Sequence, residues 1–182
     1  MLIDTLIEPL LIESSGTGGS ITTKLFPTEY FGHSELLVLY FFPGDFTSIC
    51  ATEVLAFHEQ LDKFNQLAAT PVGCSINNPY VHNAWKITPK TSGGLGTNVN
   101  HELLSDIAGH LAQKFDVLIP GRRVATRGLF VINREGKILY ESRSDTKTAR
   151  DVSAVLDLVG EIRKMTSLLP TKRERTASMN TE

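Results

Sequence analysis

Apolar and polar positions divide the chain into segments of distinct period. Leu36 to Phe42 (LLVLYFF) is continuously apolar and is closed by Pro43-Gly44. That pattern predicts a strand buried on both faces, as in a sheet flanked by helices. Val54, Phe57, Leu61, Phe64 and Ala68 then recur at alternating spacings of three and four, predicting one amphipathic helix from near Ser48 to about Ala68. Pro71 to Ile76 (PVGCSI) is a second short strand, and Pro79 to Ile87 a short helix carrying the only tryptophan, Trp85. A glycine-rich loop follows from Thr88 to about His101. Asp106 is placed to cap a helix with Ile107, Leu111 and Phe115 on its apolar face. Gly128 to Asn133 (GLFVIN) and Ile138 to Glu141 (ILYE), joined through Arg134-Glu135-Gly136-Lys137, have the form of a β-hairpin. A last helix carries Val152, Val155, Leu156, Val159 and Ile162 and should end before Pro170.

Residues 13–23 (ESSGTGGSITT) are small, polar and glycine-rich, which predicts a flexible connector or a hairpin. Strands alternating with helices, then a hairpin and a terminal helix, make an α/β layered domain. One domain over residues 1–169 is expected, with a hydrophilic, disordered tail over 170–182.

Composition narrows the function classes. A chain of 182 residues suits a single packed domain. The formal net charge of −2 recruits neither nucleic acid nor a membrane surface. No apolar run approaches the roughly 20 residues of a membrane helix. No Lys or Arg precedes Lys24, so the reading is cytoplasmic. Two cysteines, Cys50 and Cys74, are too few for a disulfide scaffold and too far apart for a CxxC pair. With five scattered histidines, neither a metal site nor another cofactor is expected.

The chemically informative stretch is Phe42 to Glu53 (FPGDFTSICATE). It sets Cys50 in the first turn of a helix directly after a buried strand. Unpaired backbone N–H groups and the positive end of the helix dipole face an anion there, which favours thiolate over thiol. Thr47 is placed to cap that helix. The competing reading is an inert buried cysteine that packs as a small hydrophobe, and position alone leaves both open. Dithiol exchange of the thioredoxin kind would need a second cysteine at position 53, where the chain has Glu53.

Pro43, Thr47 and Cys50 form a P-x-x-x-T-x-x-C signature that resembles the peroxiredoxins. Ala51-Thr52-Glu53 is similar to the family's P-T-E. His82-Asn83-Ala84-Trp85 is similar to its H-x-A-W helix, Gly93-Gly94-Leu95-Gly96 to its G-G-L-G loop, and Arg127-Gly128-Leu129-Phe130 to its R-G-L-F strand. Arg150 falls where the family has an arginine before its last helix. Residues 25–164 are covered in one register, and the subgroup resembled is the typical 2-Cys, alkyl hydroperoxide reductase C type.

The resemblance implies a thioredoxin-like fold, a central mixed β-sheet flanked by helices. It implies a peroxidase for hydrogen peroxide and organic hydroperoxides, in which Cys50 attacks and becomes a sulfenic acid. Arg127 would stabilise the thiolate and the leaving oxygen, Thr47 would bond the peroxide, and Pro43 would shield the sulfur. Glu53 and Arg150 would orient Arg127. Taken singly, Thr47 is a helix cap, Pro43 a strand terminator, and Trp85 and the glycine-rich loop packing and turn elements.

One departure matters. Typical members carry a resolving cysteine in a C-terminal V-C-P motif, whereas Cys74 is the last cysteine here, and the Y-F tail element is unrecognisable in Lys164 to Glu182. Cys74 lies in a predicted buried strand and is read as a packing residue rather than a resolver. The expectation is therefore a one-cysteine cycle recycled by an external thiol, either a thioredoxin-like protein or a small thiol. The subgroup also implies a homodimer or a higher ring. The rival class is a non-enzymatic redox sensor or oligomeric holdase on the same fold.

Overall fold

The computed structural model describes residues 1–97 and 99–168. Its strands are β1 (Leu10–Ser15), β2 (Ile21–Phe26), β3 (Leu36–Phe41), β4 (Ala69–Ser75), β5 (Leu103–Ser105), β6 (Arg127–Asn133) and β7 (Ile138–Ser144). Its α-helices are α1 (Ser48–Glu59), α2 (Leu61–Gln66), α3 (Pro79–Ile87), α4 (His110–Lys114) and α5 (Val152–Ser167). The strands form one sheet in the order β2-β1-β5-β4-β3-β6-β7. β3, β4 and β5 pair in parallel, and the remaining neighbours pair antiparallel, so the sheet is mixed.

The apolar run of β3 is explained by its central place, because every one of its residues is buried. Leu36, Val38 and Tyr40 face Val54 and Phe57 of α1, Phe64 of α2, Trp85 of α3 and Val155 and Val159 of α5. Leu37, Leu39 and Phe41 face the other way, into a second core with Phe26, Phe115, Phe130 and Leu111 of α4. Strand alternation thus splits one sequence run between two cores. Cys50 lies in the first core and Cys74 in the second.

The C-terminal hairpin, α3, α5 and the β4 strand fall where the sequence pattern puts them. Three elements differ. The helix expected to run from Ser48 to about Ala68 is broken at Gln60, which leaves helical geometry at φ −103°, ψ 7°. The periodicity persists across the break because both halves bury the same face, Phe57 before it and Phe64 after it. The helix after Asp106 starts only at His110, and Ile107 stays half exposed rather than on an apolar face. Asp106 still serves that helix: its carboxylate accepts from the N–H groups of Leu111 (3.0 Å) and Ala112 (2.7 Å). Burial pushes the Asp106 carboxyl up, against those hydrogen bonds.

The segment 13–23 is the tip of a hairpin: Glu13 to Ser15 of β1 pair with Ile21 to Thr23 of β2, residues 16–20 make the turn, and the composition hid the strands. The glycine-rich loop closes against α3: a Cβ on Gly94 would lie 2.0 Å from the Thr88 carbonyl oxygen, and Gly93 has φ +80°. Glycine is required there by contact and by conformation. The tail expected over 170–182 lies outside the described residues. Among those residues, no helix is long and apolar enough to cross a membrane.

Candidate active site

The loop Phe42–Thr47 carries the chain from the end of β3 into α1. Thr47 occupies the N-cap position with extended backbone (φ −115°, ψ 141°), and the first helical bond runs from Ala51 N–H to its carbonyl at 2.9 Å. Its hydroxyl, however, makes no capping bond. It donates to the Gly44 carbonyl oxygen at 3.0 Å, so it braces the loop and remains exposed beside it. Pro43 is half-buried at the end of β3. Cys50 is the third helical residue, so its own N–H has no partner one turn back.

Arg127 opens β6, which runs antiparallel to β3 with Leu129 opposite Tyr40. Continuing that register sets Arg127 beside the end of β3 and the start of α1. Its Nη2 donates to Cys50 Sγ at 3.5 Å and to the Thr146 carbonyl oxygen at 3.1 Å, while Nη1 donates to Glu53 Oε2 at 2.6 Å. Its Nε–H is buried without a partner. Glu53 lies one residue short of a turn beyond Cys50 on the same helix face and is fully buried. Its second oxygen accepts from the Arg150 backbone N–H at 2.9 Å and from Arg150 Nη1 at 2.8 Å.

Arg150 immediately precedes the Asp151 N-cap of α5. Its Nη2 donates to the Phe41 and Gly128 carbonyl oxygens, each at 2.7 Å, and its guanidinium lies 5.9 Å from the Tyr40 ring centroid. Burial lowers the Arg150 pKa from the usual arginine range, and Glu53 opposes that shift. Burial, then the Glu53 carboxylate, pushes the Tyr40 hydroxyl well up, so it stays protonated beside the site. With a thiolate at Cys50, two anions face two guanidiniums in a water-poor pocket. Chemically, a guanidinium within hydrogen-bond reach of a sulfur can hold a further anion there.

The structure therefore brings Cys50, Glu53, Arg127 and Arg150 into one hydrogen-bonded cluster, with Thr47 and Pro43 on the loop that leads into α1. The carbonyl acceptors at Phe41, Gly128 and Thr146 were not readable from the sequence, because backbone oxygens carry no residue signal. Cys74 is outside the cluster. It is fully buried on the opposite face of β4, where desolvation and then Asp106 push its thiol well up. Among the described residues, no three His, Cys, Asp or Glu side chains gather as a metal site.

A mixed sheet packed between helices, with a cysteine opening the helix after the central strand, is a thioredoxin-like fold. Residues 19–141 match the AhpC/TSA family, and the chain belongs to that family, among the peroxiredoxins. The thioredoxin-dependent peroxide reductase of human mitochondria is 39 % identical over 125 residues, 69 % of this chain and 48 % of that protein. A chloroplastic 2-Cys peroxiredoxin of Hordeum vulgare is 35 % identical over 136 residues, 75 % of this chain and 63 % of that protein. The chain spans about half to two thirds of the length of such curated relatives. The crystal structure of Plasmodium vivax 2-Cys peroxiredoxin in its reduced form aligns with a TM-score of 0.85 at 26 % identity, covering 96 % of this chain and 90 % of that one.

Proposed function

We propose that the protein is a thiol-dependent peroxidase that reduces hydrogen peroxide and organic hydroperoxides at Cys50. The carrying observation is the contact of Arg127 Nη2 with Cys50 Sγ, held by the Glu53 carboxylate on the same guanidinium. The Cys50 thiolate attacks the terminal peroxide oxygen, the S–O bond forms and the O–O bond breaks. The departing hydroxide or alkoxide takes a proton to leave as water or alcohol, and Cys50 becomes a sulfenic acid. Arg127 donates to the leaving oxygen as charge builds, through a guanidinium already oriented by Glu53 and Arg150. Thr47 bonds the incoming peroxide and Pro43 keeps bulk water from the sulfur.

Recycling uses an external thiol. One thiol condenses with the sulfenic acid to a mixed disulfide and water, and a second releases Cys50 as the thiolate with formation of the reductant's disulfide. The relative in human mitochondria is named for thioredoxin dependence, which supports a thioredoxin-like protein as that reductant alongside small thiols. Two unpaired thiols suit a reducing compartment, and the cytoplasm is the proposed one. A homodimer, with or without assembly to a ring, is the proposed quaternary state. The single domain is proposed to extend over residues 1–169.

Peroxide consumption in the presence of excess dithiothreitol tests the proposal. Steady turnover that vanishes in Cys50→Ser is expected. A single stoichiometric oxidation without turnover would instead make the protein a sensor.

A further inference from the structure

His82 and Asp45 lie outside the Cys50 cluster, yet both side chains are fully buried. His82 Nδ1 is 2.7 Å from Asp45 Oδ2, and Nε2 is 3.1 Å from the Leu104 carbonyl oxygen. A carboxylate oxygen and a carbonyl oxygen are both acceptors. One hydrogen shared along each of these two contacts ties α3 to the loop entering α1 through a pair of buried hydrogen bonds. The other carboxylate oxygen of Asp45 is buried without a partner, so the pairing of this charge rests on His82.

Asp45 lies inside the loop that ends in Thr47. Its backbone N–H donates to Asn77 Oδ1 at 3.0 Å, and the next residue, Phe46, is held at φ +56°, a left-handed conformation that a bulky side chain adopts only under constraint. Phe46 also packs against Trp85 of α3, with centroids 6.3 Å apart. The strained residue is therefore pinned on one side by the Asp45–His82 pair and on the other by Thr47 and the start of α1.

We propose that Asp45 and His82 are positioning residues for the Cys50 reaction: a buried hydrogen-bonded clamp that fixes the Pro43–Thr47 loop at the start of the helix carrying the sulfur. The proposal rests on the peroxidase reading for its rate consequence, and on geometry alone for its effect on access to Cys50. Releasing the clamp lets Phe46 relax and moves the Thr47 hydroxyl and Pro43 away from the sulfur. Peroxide then meets a misplaced site, while a larger electrophile meets a more open one.

Two rates test this on the full chain with native-like melting confirmed: oxidation of Cys50 by hydrogen peroxide, and alkylation of Cys50 by iodoacetamide, read by peptide mass. In Asp45→Ala, oxidation is expected to fall about a hundredfold, the loss typical of a misplaced reacting group, while alkylation accelerates. Asp45→Asn should recover most of the native behaviour, because its amide donates to Nδ1 of a neutral His82 whose Nε2–H still serves Leu104. A merely structural role would not give opposite changes in the two rates, nor rescue by the neutral isostere. Should the alanine variant not fold, Asp45→Ser, too short to reach Nδ1, carries the same comparison. Unchanged rates in the folded alanine or serine variant would overturn the clamp, as would an asparagine variant behaving like alanine. If the wild type fails to react with peroxide but the alkylation rates still separate, the peroxidase reading falls and the clamp stands.

Discussion

Glu53 accepts from two guanidiniums with a different oxygen for each, so it couples Arg127 to Arg150. Removing its charge leaves two buried cations without the carboxylate they share, a loss of about 3–5 kcal/mol for broken buried pairs. Glu53→Gln should therefore lower the free energy of unfolding read from urea titration by that order and slow peroxide reduction together. Arg127→Gln separates the two effects, since Arg150 still pairs Glu53. It should reduce the second-order rate with hydrogen peroxide by about 10²–10³, the effect of losing one donor at a developing oxyanion, with the fold retained. An unchanged rate would remove Arg127 from the chemistry. Two other buried groups give pH signatures of stability. Burial pulls Lys86 from 10.5 to about 8, with its ammonium held by the carbonyl oxygens of Ser15, Gly16 and His101. Burial, then Lys86, pulls His101 from 6.5 to about 3 beneath the Tyr40 hydroxyl, 2.6 Å from its Nε2. In each case the unfolded chain binds the proton through a window in which the folded one does not, so stability rises with pH there. The contribution of His101 is complete above pH 6.5 and is lost as pH falls toward 3, and that of Lys86 grows between pH 8 and 10.5. Denaturant unfolding against pH should show a flatter alkaline limb in Lys86→Met and a flatter acid limb in His101→Gln.

The central strand and the helix after it were legible because their residues are sorted by burial alone. The run Leu36–Phe42 is apolar since both of its faces meet a core, and the three-four spacing of Val54, Phe57 and Phe64 follows one buried stripe. The break at Gln60 was hidden by the same stripe, which continues in phase through it. β2 was missed because, as an edge strand, it buries little apart from Phe26, and β5 because only Leu103, Leu104 and Ser105 make it up. Thr47 shows the limit of reading a cap from residue type: position and backbone agree, but the hydroxyl donates to Gly44 instead of accepting from the helix. Cys50 and Thr47 were legible from the helix start, whereas Glu53, Arg127 and Arg150 were legible only through the family's register, since they converge only by tertiary contact. The glycine-rich loop had a packing reading, and its geometry makes that testable. Gly94→Ala drives a methyl into the Thr88 carbonyl and should destabilise by at least the roughly 1–3 kcal/mol typical of overpacking, seen as a lowered melting temperature.

The sheet itself keeps the two cysteines apart. Cys50 belongs to the core under α1 and α5, Cys74 to the core under α4, and a disulfide between them would require α1 to unwind and β4 to turn a buried side chain through the sheet. Bridging needs Cα atoms within about 7 Å and facing Cβ vectors, which a sheet interior does not supply by small motions. Cys74→Ser should accordingly retain most peroxide turnover while costing stability through its buried hydroxyl. α3 ties the assembly together, reaching the active loop through His82, the β1–β2 turn through Asn83 and Lys86, and the glycine-rich loop through Trp85. In the proposed cycle Cys50 alone holds the oxidised state until an outside thiol arrives. Peptide mass analysis after one equivalent of hydrogen peroxide in thiol-free buffer, with dimedone present, reads that state. The expected product is a dimedone adduct on Cys50 with Cys74 as the free thiol; a Cys50–Cys74 disulfide as the main product, or an unmodified Cys50, would contradict it.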